Sequence, residues 1–181
     1  MVRPAVFLDR DGVINANLER DGKPVAPTTL AEFRLLPGVE DAVSRLKAAG
    51  YLVIVCTNQP DVAAGRTPRP TVEAMHNLVR TKLDVDDIKV CFHSDADRCD
   101  CRKPKPGMIL AAAQEYAIDL PRSYIIGDRW RDVAAGRAAG CLTIFVEYGY
   151  EQEGPNQPDH IVASLAEAAD LILDRGVTRL D

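Results

Sequence analysis

Short apolar runs alternate along this chain with stretches whose apolar residues recur at helical spacing, and that rhythm leaves few folds open. Residues 5–8 read as a buried strand, and further strands are expected over 51–56, 88–92, 123–126, 143–146 and 161–162. Between them, 38–50 carries Val39, Ala42, Val43, Leu46 and Ala49 on one helical face, with Gly50 placed to end the helix. The spacing predicts further helices over 71–83, with Thr71 as N-cap, and over 107–116, 132–139 and 165–173. Alternation of this kind implies an α/β fold: one doubly wound parallel sheet with helices on both faces. No remaining gap is long enough for another domain, so a single unit over 1–181 is expected.

Composition narrows the function. A chain of 181 residues, 46% hydrophobic and 27% charged, has enough apolar surface for a full core. Its net charge of −5 argues against nucleic-acid binding, which favours a basic face. No apolar run approaches the roughly 20 residues that span a bilayer, and the stretch after Arg3 does not read as a secretory signal. Five cysteines in this length do not make a disulfide scaffold. A cytoplasmic monomer acting on small molecules, without membrane or nucleic-acid partners, is expected.

Polar groups gather where the strands end. The first strand stops at Asp9, and Asp11 and Gly12 follow, so two carboxylates sit at a turn where open α/β sheets bind ligands. Thr57, Asn58 and Gln59 follow the second strand and offer a hydroxyl and amides to phosphoryl oxygens. Lys103 supplies a fixed positive charge, and Asp128 and Asp132 follow the fourth strand. Hard oxygen ligands for magnesium, a nucleophile and a cation for the equatorial oxygens suit phosphoryl transfer. Loops 15–33, 60–70 and 91–106 are the candidate walls of the site.

Cys91, His93, Cys99 and Cys101 form a second cluster, three thiolates and an imidazole in a short loop. They match a closed tetrahedral zinc site with no position left for water, hence a structural metal that pins the loop carrying Arg102 and Lys103. The alternative is buried or free cysteines near a surface histidine. Cys56 and Cys141 read as core residues, and His76 and His160 as structural ones.

Taken in order, D-x-D-G-V-I-N from Asp9, T-N-Q from Thr57, R-K-P from Arg102 and G-D-x-x-x-D from Gly127 resemble the haloacid dehalogenase superfamily of phosphatases. The resemblance spans Asp9 to about Val146 and implies a Rossmann-like, capless phosphatase fold with a zinc-bound loop. It implies that Asp9 is the nucleophile and forms an aspartyl-phosphate. Asp11 is then the acid that protonates the leaving oxygen and the base that activates water. It further implies magnesium held by the Asp9 carboxylate, the Asp11 carbonyl and Asp128, with Asp132 supporting them. Thr57, Asn58 and Lys103 complete the catalytic set, and Arg102, Asn15, Gln59 and Arg66 are expected to contact substrate.

Within the superfamily, the zinc loop joined to R-K-P resembles two branches, the heptose 1,7-bisphosphate 7-phosphatases and the histidinol-phosphate phosphatases. The stretch from Lys103 to Met108 is more like the first, and the compact spacing from His93 to Cys99 more like the second. Charge tilts the balance to a small phosphorylated sugar. Arg66, Arg69, Arg102, Lys105, Arg129 and Arg131 lie on or near the site loops, against Asp21 and Asp61, and a second phosphate needs cations. One departure stands out: the arginine that heptose phosphatases carry just before the glycine after T-N-Q is Ala64 here, with Arg66 following Gly65. Another small sugar phosphate remains open on that ground. A non-enzymatic zinc-bearing binding module is the competing class; the joint presence of Asp9, Asp11, Lys103 and Asp128 argues against it.

Overall fold

The computed structural model describes residues 2–149 and 157–177. Six strands form one parallel sheet: β1 (Ala5–Leu8), β4 (Leu52–Asn58), β5 (Asp87–Cys91), β6 (Tyr124–Gly127), β7 (Leu142–Val146) and β8 (His160–Val162). Their order across the sheet is β5-β4-β1-β6-β7-β8. The chain therefore winds from β1 to one side through β4 and β5, and then to the other through β6, β7 and β8. The winding direction reverses beside β1, so the crevice beyond its C-terminal end is the place for a ligand.

Period-two alternation in the strands builds two apolar layers. Val6 and Leu8 of β1 join one buried cluster with Val53, Val55, Ile126 and Ile144. That face is covered by α1 (Val39–Ala48), α3 (Arg69–Lys82) and α6 (Leu165–Val177), through Leu46, Met75, Val79 and Ile172 among others. Ala5 and Phe7 point to the opposite face and pack with Ile54, Cys56 and Ile125 under α4 (Gly107–Tyr116) and α5 (Trp130–Ala139). Cys56 and Cys141 belong to this second layer, in line with their apolar strand context. Among the described residues, no helix is long and apolar enough to cross a membrane.

Two local features depart from the periodicity. Loop 15–33 contains an antiparallel hairpin, β2 (Leu18–Arg20) and β3 (Lys23–Val25), turned by Asp21 and Gly22, both at positive φ. Its strands are short and polar, with no alternation to find, but Asp-Gly is itself a hairpin signature. Thr71 is not the N-cap of α3. The helix starts at Arg69 after an extended Pro68, with Pro70 in its first turn, where the missing N–H costs nothing. A short helix, α2 (Pro60–Ala63), also forms in the second wall loop. Residues 150–156, between the strands expected over 143–146 and 161–162, lie outside the described residues.

Candidate active site

The turn after β1 fixes the first carboxylate. The Asp9 N–H donates to Ile126 O at 2.9 Å, which carries the β1–β6 pairing to the last residue before the turn. Ile14 and Asn15 donate their N–H groups to Arg10 O at 2.8 and 3.0 Å, and Gly12 donates to Asn15 O at 2.7 Å. Gly12 sits at φ +84, and a Cβ there would lie 2.2 Å from Asp128 Oδ2, so the turn and the carboxylate beside it require glycine. Gly127 is held for the same reason: a Cβ would come within 2.2 Å of the Asp132 side chain.

Lys103 ties the carboxylates together. Its buried ammonium lies 2.9 Å from Asp9 Oδ1 and 2.5 Å from Asp132 Oδ1, and it donates to Cys56 O at 2.6 Å. Burial works against this charge, yet Asp132 and Asp9 together hold the lysine above its ordinary pKa. The other Asp132 oxygen accepts from Arg129 N at 3.1 Å, at the start of α5. The lysine only partly offsets its surroundings. Burial, followed by the charge of Asp132, pushes Asp9 up to about 7, and burial with the Asp9 charge holds Asp128 well above the carboxylate range.

Oxygens of Asp9, Asp128 and Asp132 lie within 4.8 Å of one another. An all-carboxylate donor set in which burial, then neighbouring negative charge, raises Asp9 and Asp128 is short of positive charge, and it fits a hard divalent cation. Asn17 Nδ2 donates to Asp128 Oδ2 at 2.9 Å and orients it.

The Asp11 carboxylate lines the same cavity but is held from below. Arg10 Nη2 lies 2.9 and 3.0 Å from its two oxygens, Asn15 Nδ2 donates to Oδ1 at 2.9 Å, and Gln59 Nε2 donates to Oδ2 at 2.7 Å. Thr57 is buried behind, with its hydroxyl accepting from Gln59 at 3.0 Å. The structure thus brings Asn15 and Gln59 to Asp11, Thr57 to Gln59, and Asn58 to the backbone of Lys103.

The Cys–His loop follows β5. Cys91, Cys99 and Cys101 have Sγ separations of 3.2, 3.4 and 3.7 Å, and His93 Nδ1 lies 3.3 Å from Cys101 Sγ and 3.6 Å from Cys91 Sγ. A tetrahedron with metal–sulfur bonds of about 2.3 Å has edges of about 3.7 Å, so the four atoms have the compass of one metal site. None of the three is in a disulfide. The loop runs directly into Arg102 and Lys103.

Above the carboxylates opens a cavity of about 330 Å³, with Arg102, Arg129 and Arg131 on its walls and Ala26, just past the hairpin, and Pro60 facing in. Arg102 Nε donates to Asp95 at 2.8 Å, while its Nη1 is buried with no hydrogen-bond partner among the described residues. Arg131 also meets Asp95, at 3.3 Å, and packs over Trp130. Other basic residues of the wall loops point elsewhere. Arg66 is exposed and paired with Asp61, Arg69 with Glu73, and Lys105 with Asp100.

Comparison with known proteins gives this arrangement a family. Residues 100–168 match the family model described as HAD-hydrolase-like. A D-glycero-beta-D-manno-heptose-1,7-bisphosphate 7-phosphatase of Rhodopseudomonas palustris is 43% identical over 150 residues, 76% of this chain and 80% of that protein. The protein of the same name from Salmonella typhi is 36% identical over 179 residues, 91% of this chain and 92% of its own length. The chain belongs to the haloacid dehalogenase-like phosphatases. Among solved structures of the family, the D,D-heptose 1,7-bisphosphate phosphatase of B. bronchiseptica, complexed with magnesium and phosphate, matches with a TM-score of 0.78 at 31% identity. It covers 95% of this chain and 99% of its own.

Some residues of this phosphatase escaped sequence reasoning. Arg10 lies between two aspartates and is nonetheless fully buried, which no local pattern announces. Asn17 meets Asp128 across 111 positions, and Tyr148 donates its hydroxyl to Gly12 O at 2.9 Å across 136. Only the fold brings such pairs together. His76, read from the sequence as structural, sits 3.3 Å from Arg10 Nη1.

Proposed function

We propose that this chain is a magnesium-dependent phosphatase that removes the 7-phosphate of D-glycero-D-manno-heptose 1,7-bisphosphate, as one capless catalytic unit. In the first half-reaction a carboxylate oxygen of Asp9 bonds to phosphorus as the bond to the ester oxygen breaks, and Asp11 gives its proton to the departing alcohol. In the second, Asp11 takes a proton from water, whose oxygen bonds to phosphorus. The Asp9 carboxylate leaves, and inorganic phosphate is released.

Lys103 holds Asp9 and Asp132 in place and presents positive charge to the phosphoryl oxygens. Asp9 and Asp128, with Asp132 behind them, are the residues that would hold magnesium. When bound, that ion neutralises charge on the carboxylates and on the transferring group. The Cys91, His93, Cys99 and Cys101 set would hold zinc and thereby fix the loop from which Arg102 and Lys103 project.

The observation that carries the substrate choice is the arginine wall: Arg102, whose buried Nη1 has no partner among the described residues, and Arg129 and Arg131 line the cavity above Asp9. A guanidinium wall suits a second phosphate, whereas the ammonium and imidazole of histidinol phosphate would be repelled by it. The names of the relatives agree with that choice.

The test is kcat/KM for phosphate release with magnesium on both anomers of heptose 1,7-bisphosphate and on histidinol phosphate. Preference for the bisphosphate by about a hundredfold or more is expected. Preference for histidinol phosphate would overturn the substrate, and no turnover of either would overturn both.

A further inference from the structure

Arg10 is wholly buried, does not line the cavity, and yet commits its guanidinium to a carboxylate that does. Its Nη2 spans both Asp11 oxygens at 2.9 and 3.0 Å, and Nε reaches Oδ1 at 3.2 Å. Phe33 lies against the same guanidinium, 5.6 Å from ring centroid to Cζ. Behind it, Arg10 Nη1 is 3.3 Å from His76 Nε2 on α3. A guanidinium only donates, so His76 Nε2 accepts and the imidazole is neutral. Burial, with the charges of Arg10 and Arg80 against that of Asp11, pushes this imidazole down to about 4, in keeping with that role.

A fully buried arginine is an expensive way to gain stability, since desolvation offsets much of the ion-pair energy. What the planar fork supplies is direction: it fixes the plane of the Asp11 carboxyl in a way that a lysine point charge does not. Asn15 and Gln59 each constrain a single oxygen of Asp11. Arg10 constrains both, and His76 constrains Arg10.

We infer that Arg10, anchored by His76, is a positioning residue that aims the Asp11 carboxyl at the leaving ester oxygen. The inference rests on Asp11 being the acid–base group of the proposed reaction. Misaiming that acid hurts only substrates whose leaving group needs a proton. An alkyl ester such as the sugar phosphate needs one, and 2,4-dinitrophenyl phosphate does not. The first half-reaction alone sets kcat/KM, so the ratio of kcat/KM values for the two esters isolates the proton transfer.

The experiment measures that ratio, heptose 1,7-bisphosphate over 2,4-dinitrophenyl phosphate, for wild type and for Asp11→Asn, Arg10→Lys, His76→Leu and His76→Gln, with folding checked by circular dichroism. Asp11→Asn should lower the ratio by about a hundredfold, within the usual span of general acid catalysis. Arg10→Lys should lower it by about tenfold or more, and His76→Leu in the same direction by less. His76→Gln, which restores an acceptor for Arg10 Nη1, should recover most of the ratio. It also keeps the test open if Arg10→Lys fails to fold.

If Arg10→Lys and His76→Leu slow both esters equally, or neither, while Asp11→Asn lowers the ratio, the positioning role is wrong and the acid–base reading stands. If Asp11→Asn leaves the ratio unchanged, the acid–base reading fails and this inference fails with it.

Discussion

The Asn58 side-chain amide and the Lys103 backbone hold each other in both directions: Nδ2 donates to Lys103 O at 3.0 Å, and Lys103 N donates to Asn58 Oδ1 at 3.1 Å. The last residue of β4 is thereby clipped to the tail of the Cys–His loop, and this sets where the Lys103 ammonium emerges between Asp9 and Asp132. Asn58 lines the cavity, but both ends of its amide are already engaged with protein.

Asn58→Ala should therefore reduce kcat by about tenfold or more through a displaced Lys103, with a smaller change in KM. The lost hydrogen bonds should cost about 1–3 kcal/mol of stability. Steady-state kinetics and thermal unfolding of the variant check this. A change in KM alone would mean that Asn58 serves substrate rather than Lys103.

The carboxylate cluster makes stability depend on pH in a predictable sense. Burial and the Asp132 charge put Asp9 at about 7, against roughly 3.9 in an unfolded chain, so the native protein binds this proton more tightly. The raised pKa favours folding below about 4, and that contribution is lost as pH rises through about 7. In metal-free protein, the melting temperature of Asp9→Asn should gain on that of wild type as pH is raised from about 4 to about 7. Magnesium should shrink that gain by supplying the missing charge. A gap that stays constant with pH would show that Asp9 titrates normally.

Removing Cys99 from the Cys–His cluster proposed to hold zinc should reach the active site through its neighbours. Cys99→Ser, or chelation of the purified protein, should release zinc, as measured by mass spectrometry. Phosphatase activity should fall by about tenfold or more as Arg102 and Lys103 lose their anchor, while the sheet keeps its far-ultraviolet circular dichroism. Full activity in verified zinc-free protein would show that the loop holds itself.

The frame of the fold was legible because the central strand is a pure apolar run, so that residues 5–8 coincide with β1, and because apolar residues recur at helical spacing, so that 107–116 coincide with α4. The carboxylates were legible because they stand where such strands stop. The hairpin was not, since β2 and β3 carry no alternation and only Asp21-Gly22 marks their turn. The division of labour among Asn15, Thr57, Asn58 and Gln59 was also hidden. Each is a plausible phosphate contact by residue type, and only the closure of the turn around Arg10 shows that Asn15 and Gln59 serve Asp11. Arg66 illustrates the same limit in reverse: its place in a wall loop suggested the cavity, but Asp61, five residues earlier, pairs with it at the surface.

Covalent chemistry on Asp9 can be tested by trapping the acyl phosphate itself. Enzyme turning over heptose 1,7-bisphosphate with magnesium is quenched in acid, reduced with borohydride, digested and mapped by mass spectrometry. Homoserine is expected in place of Asp9, because an acyl phosphate is reduced where a free carboxylate is not, with neither the product nor turnover in Asp9→Asn. An unmodified Asp9 in enzyme caught at full turnover, or phosphate release by Asp9→Asn at the wild-type rate, would contradict it.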